Sequence, residues 1–392
     1  MTIMQSILII IFLGCLILLI HSYVLYPLSI WILSLISRKK YHTESNYSPK
    51  VSIIISVFNE EKVIEKTIRN FLQSDYDLSK IEFVIGSDNS TDSTNEIISK
   101  LQREIPAIKF FPFPKRRGKS CVLNDLVNEA SSEILIFSDA NTIYHRDAIN
   151  NLVKYYVDPI VGGVSGKLNL IEFEEFIHSG SQEIKYWNFE TWLKEKEGKI
   201  GKLIGANGGI YSLRKKYFVQ IPTEYPIVDD FYLSLKVLEQ NRDFLYIKDA
   251  EAEELTAPNL MAEFKRKIRG NANILSTIKT IKKLLNPSFG VISYSLWSHK
   301  LIRWFTPIIL LLIFIINLFL YQTGEFFQYF LIIQLLLYFL GLLGYILNKL
   351  NFRVQPLLLI FYFLMTNTAM LIGLFQFILG KNTAYWQPTP RQ

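Results

Sequence analysis

Three short polar clusters carry the chemistry available to this sequence. Phe58-Asn59-Glu60, Ser87-Asp88-Asn89-Ser90 and Ser138-Asp139-Ala140-Asn141 each place carboxylate and amide oxygens directly after an apolar run. Farther along stand Gly118-Lys119, the pair Asp229-Asp230, and the cations Arg266 and Arg269. Carboxylates and amides suit a hard divalent cation, which takes oxygen ligands and keeps water and phosphate in its shell. Separate basic motifs suit a diphosphate, so the set reads as a site for a nucleoside diphosphate held with a divalent ion. No Gly-x-Gly-x-x-Gly follows Val51–Val57 and no P-loop signature occurs, which argues against dinucleotide redox chemistry and P-loop hydrolysis. Any one cluster is also what a helix cap looks like; three on one edge make a site.

The elements that must position these groups alternate. Val51–Val57 (VSIIISV) is a continuous β-branched run, the pattern of a strand buried on both faces. Helical stretches are predicted over Glu60–Leu72, Thr94–Arg103 and Ser120–Ala130, with strands over Ile81–Ile85, Ile108–Phe111 and Ile134–Phe137. This β-α-β-α order predicts an α/β domain with a doubly wound, mostly parallel sheet. Ligands of such sheets bind beyond the carboxyl ends of the strands, which is where the three clusters fall.

On these motifs the chain resembles the membrane-embedded members of family two of the inverting nucleotide-sugar glycosyltransferases, the group of the cellulose, hyaluronan and poly-N-acetylglucosamine synthases. The resemblance runs from about Val51 to Arg269 and implies a GT-A fold, a nucleotide-sugar donor and Mg²⁺ or Mn²⁺. Asn59 and Glu60, in SVFNE, match the segment lining the nucleoside pocket, and Asp88, in SDNSTD, matches the aspartate holding uracil or ribose in relatives that use UDP-sugars. Lys119, with Gly118 and Asn124, matches a motif whose lysine approaches the diphosphate. Asp139 and Asn141 occupy the metal-binding Asp-x-Asp positions, with Asn a neutral and weaker oxygen ligand. Gly205, Ala206 and Asn207, in GANGGIY, resemble the loop under the acceptor sugar. Asp230 aligns with the catalytic base and Asp229 with its neighbouring acid. Arg266 and Arg269 stand at the Gln-x-x-Arg-Trp motif of processive synthases; Arg269 is kept, while Arg266 replaces the Gln and Gly270 the Trp. That departure favours short or single transfers over a long polymer.

Charge is partitioned along the chain. No charged residue precedes Arg38, and the stretch from Leu301 onward holds five basic residues and one acidic one, Glu325. The middle of the chain is close to neutral, which argues against nucleic acid as a partner. A bilayer core takes about 20 apolar helical residues to cross. The N-terminal stretch and three later ones, Trp304–Tyr321, Phe326–Asn348 and Val354–Gly380, reach that length. The organisation predicted is an N-terminal transmembrane helix (1–37), a cytosolic GT-A domain (38–283), an interfacial amphipathic segment (284–303), about three C-terminal transmembrane helices (304–380) and a tail (381–392). Arg38, Lys39 and Lys40 after the first span mark the cytoplasmic side, placing the domain in the cytosol beneath the cell membrane. Cys15 and Cys121 are too few for a disulfide framework or a zinc cluster. Three functions stay open: transfer of sugar from a nucleotide-sugar donor to a surface glycan, transfer of one sugar to a polyprenyl-phosphate or other lipid acceptor, and a non-catalytic nucleotide-sugar-binding membrane subunit.

Overall fold

The computed structural model describes residues 2–37, 39–172, 181–350, 352 and 354–381; Arg38 of the basic cluster and the tail sequence Trp386–Arg391 lie outside these. Among the described residues, eight strands form one sheet in the order β3-β2-β1-β4-β7-β6-β8-β5. The first half is the alternating unit expected: β1 (Val51–Val57), β2 (Ile81–Asp88), β3 (Ile108–Phe113) and β4 (Ile134–Ser138), all parallel. Register fixes the site edge. Val57 pairs with Ser87, and Ile55 with Ser138, so the polar clusters after β1, β2 and β4 emerge side by side at the carboxyl ends.

Alternate residues of β1 serve two cores. Val51, Ile53, Ile55 and Val57 join one cluster, with Ile64, Ile68, Phe71, Ile98 and Leu101 from the helices after β1 and β2. Ile54 points the other way, into a cluster with Val122, Leu126 and Leu235. The strand is apolar throughout because both faces are covered.

The second half of the sheet is mixed. β5 (Ile143–Tyr144) and β6 (Val161–Ile171) are followed by β7 (Tyr211–Arg214), which runs antiparallel between β4 and β6. β8 (Asp243–Leu255) runs parallel to β6 with a register shift at Gly166/Lys167, and Glu254 near its end pairs with Leu170 of β6.

Among the described residues, four helices are long and apolar enough to cross a membrane. The first comprises α1 (Ile3–Ile20), a π-helical turn at His21–Leu25 and α2 (Tyr26–Ile36), with Pro27 in the first turn of α2. Between the first and second candidate spans lie α3 (Ile64–Phe71), α4 (Thr94–Glu104), α5 (Lys119–Glu129), α6 (Ala148–Val153), α7 (Ser181–Lys199), α8 (Asp229–Glu239) and α9 (Leu260–Thr280). The second candidate span is Val291–Leu320, joining α10 (Val291–Ser295), a π turn at Leu296–Leu301 and α11 (Ile302–Leu320). α12 (Glu325–Lys349) and α13 (Gln355–Ile378) are the others.

The second candidate span begins at Val291 and so overlaps the stretch 284–303 that the sequence reads as interfacial. The charges that end the apolar window there, His299, Lys300 and Arg303, are satisfied by α7. Arg303 pairs with Glu190, His299 Nε2 lies 2.9 Å from Glu190 Oε2, and His299 Nδ1 lies 2.7 Å from Glu197 Oε1. The hydroxyl of Tyr26 donates to the same Glu197 oxygen at 2.6 Å. The two π turns meet here: Ser22 donates to the carbonyl of Ser298 at 2.6 Å, and Arg303 donates to the carbonyl of Ser22 at 3.3 Å. Backbone groups loosened by a π turn in an apolar setting need such partners.

Removing one member of a buried ion pair strands the other. Arg303→Met is expected to cost roughly 3–5 kcal/mol, visible as a lower melting temperature of the detergent-solubilised protein. An unchanged melting temperature would mean that this network does not join α7 to the spans.

Candidate active site

The strand-end clusters open into one cleft of about 290 Å³, lined by Phe58, Glu60, Asp88, Lys119, Asp139, Asn141, Asp229, Glu254, Arg266 and Arg269 among others. Carboxylates from β2, β4, α8 and β8 thus share a cavity with cations from α5 and α9.

Asp88 builds the loop that delivers the lysine. Its Oδ1 accepts from the backbone N–H of Arg117 at 2.7 Å and its Oδ2 from that of Gly118 at 2.8 Å. Gly118 sits at φ +89°, a conformation glycine adopts at little cost, and α5 begins at Lys119. Arg116 stacks over the ring of Phe58, 3.6 Å from its centroid, closing the cleft beside β1.

Lys119 lies between two acids. Its Nζ is 2.9 Å from Asp139 Oδ1 and 3.3 Å from Asp229 Oδ1. Burial alone would lower the Lys119 ammonium, but Asp139 and Asp229, with Asp230 beyond them, hold it well above the usual lysine range. Lys119 remains 31% exposed, so solvent screens part of that attraction. Asp229 is fixed from behind by the hydroxyl of Tyr211, 3.2 Å from its Oδ2. Asn141 donates through Nδ2 to Glu254 Oε1 at 3.1 Å.

Asp230 stands beside this cavity and faces the glycine loop. Its Oδ1 accepts from the N–H of Phe231 at 2.7 Å. A Cβ at Gly208 would meet Asp230 Oδ2 at 3.2 Å and Asp139 Oδ2 at 3.7 Å, so those two oxygens converge on the space above the loop. Burial, then the charge of Asp229, pushes Asp230 up to about 6, against the opposing pull of Lys194 and Lys119.

The remaining expected residues sit less directly. Ala206 and Asn207 are buried, and Gly205, at φ +116°, packs on Phe231. Asn207 donates from its backbone to Ser165 Oγ at 2.9 Å and from Nδ2 to the carbonyl of Gly166 at 2.7 Å. These three shape the loop, whereas Gly208 is the member that faces the carboxylates. Asn59, at φ +54°, accepts from the N–H of Thr91 at 2.8 Å and ties the loops after β1 and β2 together outside the cavity lining. Arg266 lines the cavity while pairing with Glu183 of α7.

Sequence reasoning passed over Glu254 and Lys194. Glu254 obeys the strand-end rule that found the others, at the close of β8. Lys194, in the charged stretch WLKEKEG, carries no signal of its burial.

Residues 52–220 match the model of the family described as Glycosyl transferase family 2. The poly-β-1,6-N-acetyl-D-glucosamine synthase of Staphylococcus aureus is 29% identical over 167 residues, 42% of this chain and 39% of the synthase. A probable glycosyltransferase of Bacillus subtilis is 28% identical over 174 residues, 41% and 40% of the two chains. The chain thus matches about two fifths of the length of these relatives. Among solved structures, a mannosyltransferase of Pyrobaculum calidifontis in complex with GDP-Man and Mn²⁺ superposes with a TM-score of 0.71 at 18% identity, covering 95% of this chain and 100% of that one. That likeness shows the fold, a GT-A domain with its mostly parallel sheet. The matched region, bearing the strand-end acids and the glycine loop, is a glycosyl transferase family 2 domain.

Proposed function

We propose that the protein is an inverting membrane glycosyltransferase that moves a sugar from a nucleoside-diphosphate donor, a UDP-sugar, to a glycan acceptor in surface or exopolysaccharide synthesis. The observation that carries this reading is the convergence of Asp139 and Asp230 on the space above Gly208, next to a cleft whose cations can face a diphosphate. The domain faces the cytosol, where nucleotide sugars are made, and the four apolar helices hold it at the membrane.

Inversion requires an acceptor hydroxyl to attack the anomeric carbon as the diphosphate leaves from the opposite face. Asp230 takes the hydroxyl proton as the new bond forms. The departing diphosphate gains charge and needs positive groups already in place. Lys119 and Arg269 line that side, and a unit charge about 4 Å away at an effective dielectric of about 20 contributes roughly 4 kcal/mol before desolvation. Arg266 adds to this on leaving Glu183. Asp88 keeps the Gly118-Lys119 loop at the nucleotide.

The oxygens present fit a hard cation. Asp139 uses Oδ1 for Lys119 and turns Oδ2 to the shared space, and Asn141 adds an amide oxygen. Among the described residues no three His, Cys, Asp or Glu side chains gather around one point, so the diphosphate and water would complete the shell. The solved mannosyltransferase is in complex with GDP-Man and Mn²⁺. When bound, Mg²⁺ or Mn²⁺ would neutralise charge on the leaving group. EDTA is expected to abolish transfer and Mn²⁺ or Mg²⁺ to restore it; full activity under chelation would remove the metal from Asp139 and Asn141.

A second reading, transfer of one sugar to a polyprenyl-phosphate or other lipid acceptor, is favoured by one observation. Gly270 stands at the Trp position of the processive motif, and a Cβ there would meet nothing within 4 Å, so no ring closes that point. Incubating the purified full-length chain with a panel of nucleotide sugars, and following diphosphate release and product length, tests both. Release with a UDP-sugar supports transfer, and a single added sugar selects the lipid acceptor. Binding of a nucleotide sugar with no release from any donor would instead indicate a non-catalytic subunit.

A further inference from the structure

A buried ammonium stands behind the acceptor loop. Lys194 projects from α7 on the stripe Trp187, Glu190, Lys194 and Glu197, and only 8% of it is exposed. Its Nζ donates to Asn207 Oδ1 at 2.6 Å and to the carbonyl of Ala206 at 3.3 Å, and lies 5.3 Å from the centroid of the Trp187 ring. Asn207 is already clamped by Ser165 and Gly166, so the lysine completes the anchorage of this strip. The next residue is Gly208, whose open face meets Asp230 Oδ2. The loop is therefore a thin partition with the base on one side and the ammonium on the other.

A neutral side chain could have made the bond to Asn207. A charge buried without a close counterion is costly, and among the described residues no carboxylate pairs directly with Lys194. The charged groups around it are Lys300 from the second span, Glu190 and Glu197 on its own helix, and Asp230 across the loop. Burial and Lys300 bring the Lys194 ammonium down to about 8, against the pull of these three acids. Asp230 in turn faces Asp229 on its own helix, Lys119 from α5, Asp139 at the end of β4 and Lys194 from α7.

We propose that Lys194 is a positioning residue for the transfer reaction, holding the Ala206–Asn207 strip beneath the acceptor and supplying from behind the loop the positive field that keeps Asp230 ionised. This rests on the reading of Asp230 as the base. It also links the membrane to the chemistry, because Glu190 and Glu197, which flank Lys194, are the partners of His299 and Arg303 on the second span.

The test uses the full-length protein in detergent or nanodiscs and the pH dependence of turnover. Loss of the positive field raises the pKa of Asp230, so more of it is protonated at a given pH. Lys194→Met should move the acid limb of the profile to higher pH by about one unit, a tenfold change in the ionised fraction on that limb. The KM for the donor should stay within about threefold, because Lys194 does not line the donor cleft. Lys194→Arg should restore the limb. Asn207→Ala, which removes the anchor and keeps the charge, should lower turnover with the limb in place. A limb unmoved in Lys194→Met would overturn the proposal, as would an equal shift in Lys194→Arg. If Lys194→Met does not fold, the Arg and Ala variants still decide: a shifted limb in either contradicts the proposal, and a fixed limb with reduced turnover in Asn207→Ala supports it. Failure of the underlying reading looks different, since the wild-type chain would then release no diphosphate from any nucleotide sugar.

Discussion

Asp230→Asn is expected to lower turnover by roughly 10²–10⁴-fold while donor affinity stays within a few-fold. The amide keeps the shape of the carboxylate but accepts no proton, and Asp230 is not among the groups lining the donor cleft. The same residue sets the pH dependence. An ordinary aspartate would be ionised across the whole working range, but burial and Asp229 push Asp230 up to about 6. The base works only when ionised, so the rate should rise through about pH 6 to a plateau near neutrality and fall about tenfold per unit below it. Steady-state rates from pH 5 to 8, with the donor saturating, check this directly. Wild-type turnover in Asp230→Asn would remove the base from the scheme.

Lys119→Met is expected to cost about 10²–10³-fold in kcat/KM, the usual effect of deleting one preorganised donor to developing charge. Two consequences follow from its place between Asp139 and Asp229. The variant leaves two carboxylates facing each other without their cation, so divalent metal should become more important, and raising Mn²⁺ should recover part of the loss. Lys119→Arg should retain much of the activity, because the charge persists at the end of the same loop. Donor titrations at several metal concentrations separate these effects. A variant as active as the wild type would show that the diphosphate lies elsewhere.

Much of the cleft was legible because its signals are local. β1 occupies the VSIIISV run, and α4 begins at Thr94 as its polar-to-apolar pattern indicates. The strand-end rule then located Asp88 and Asp139, which line one cleft. The side of the glycine loop is different. β7 lies antiparallel between β4 and β6 through pairings distant in sequence, and the short run YSLR does not announce its neighbours. Ala206 and Asn207 carry a motif-like spelling, yet burial turns them into supports for Gly208. Lys194 was hidden for a related reason: surrounded in sequence by Glu195, Lys196 and Glu197, it reads as part of a solvated face until α7 is seen packed against the spans. The second candidate span is longer than the apolar window visible in sequence, because His299, Lys300 and Arg303 look like the end of that window. They remain within the helix because Glu190 and Glu197, about a hundred residues away, neutralise them.

Helices α7 and α9 are where the sheet domain meets the candidate spans. Glu183 on α7 pairs with Arg266 on α9, and Tyr362 of α13 donates to Glu263 on α9. A donor that draws Arg266 toward its phosphates must therefore loosen a contact between the helices that rest on the spans.

The most direct measurement is a structure of the full-length chain with UDP and Mn²⁺ bound. The diphosphate is expected against Lys119 and Arg269, the ion on Asp139, the nucleoside along Phe58 and Asp88, and open space between the β-phosphate and Asp230 for the sugar and its acceptor. A nucleotide seated elsewhere, for instance in the basic pocket of Lys39, Lys199 and Lys248 on another part of the domain, with the Asp88–Asp139 cleft empty, would contradict it.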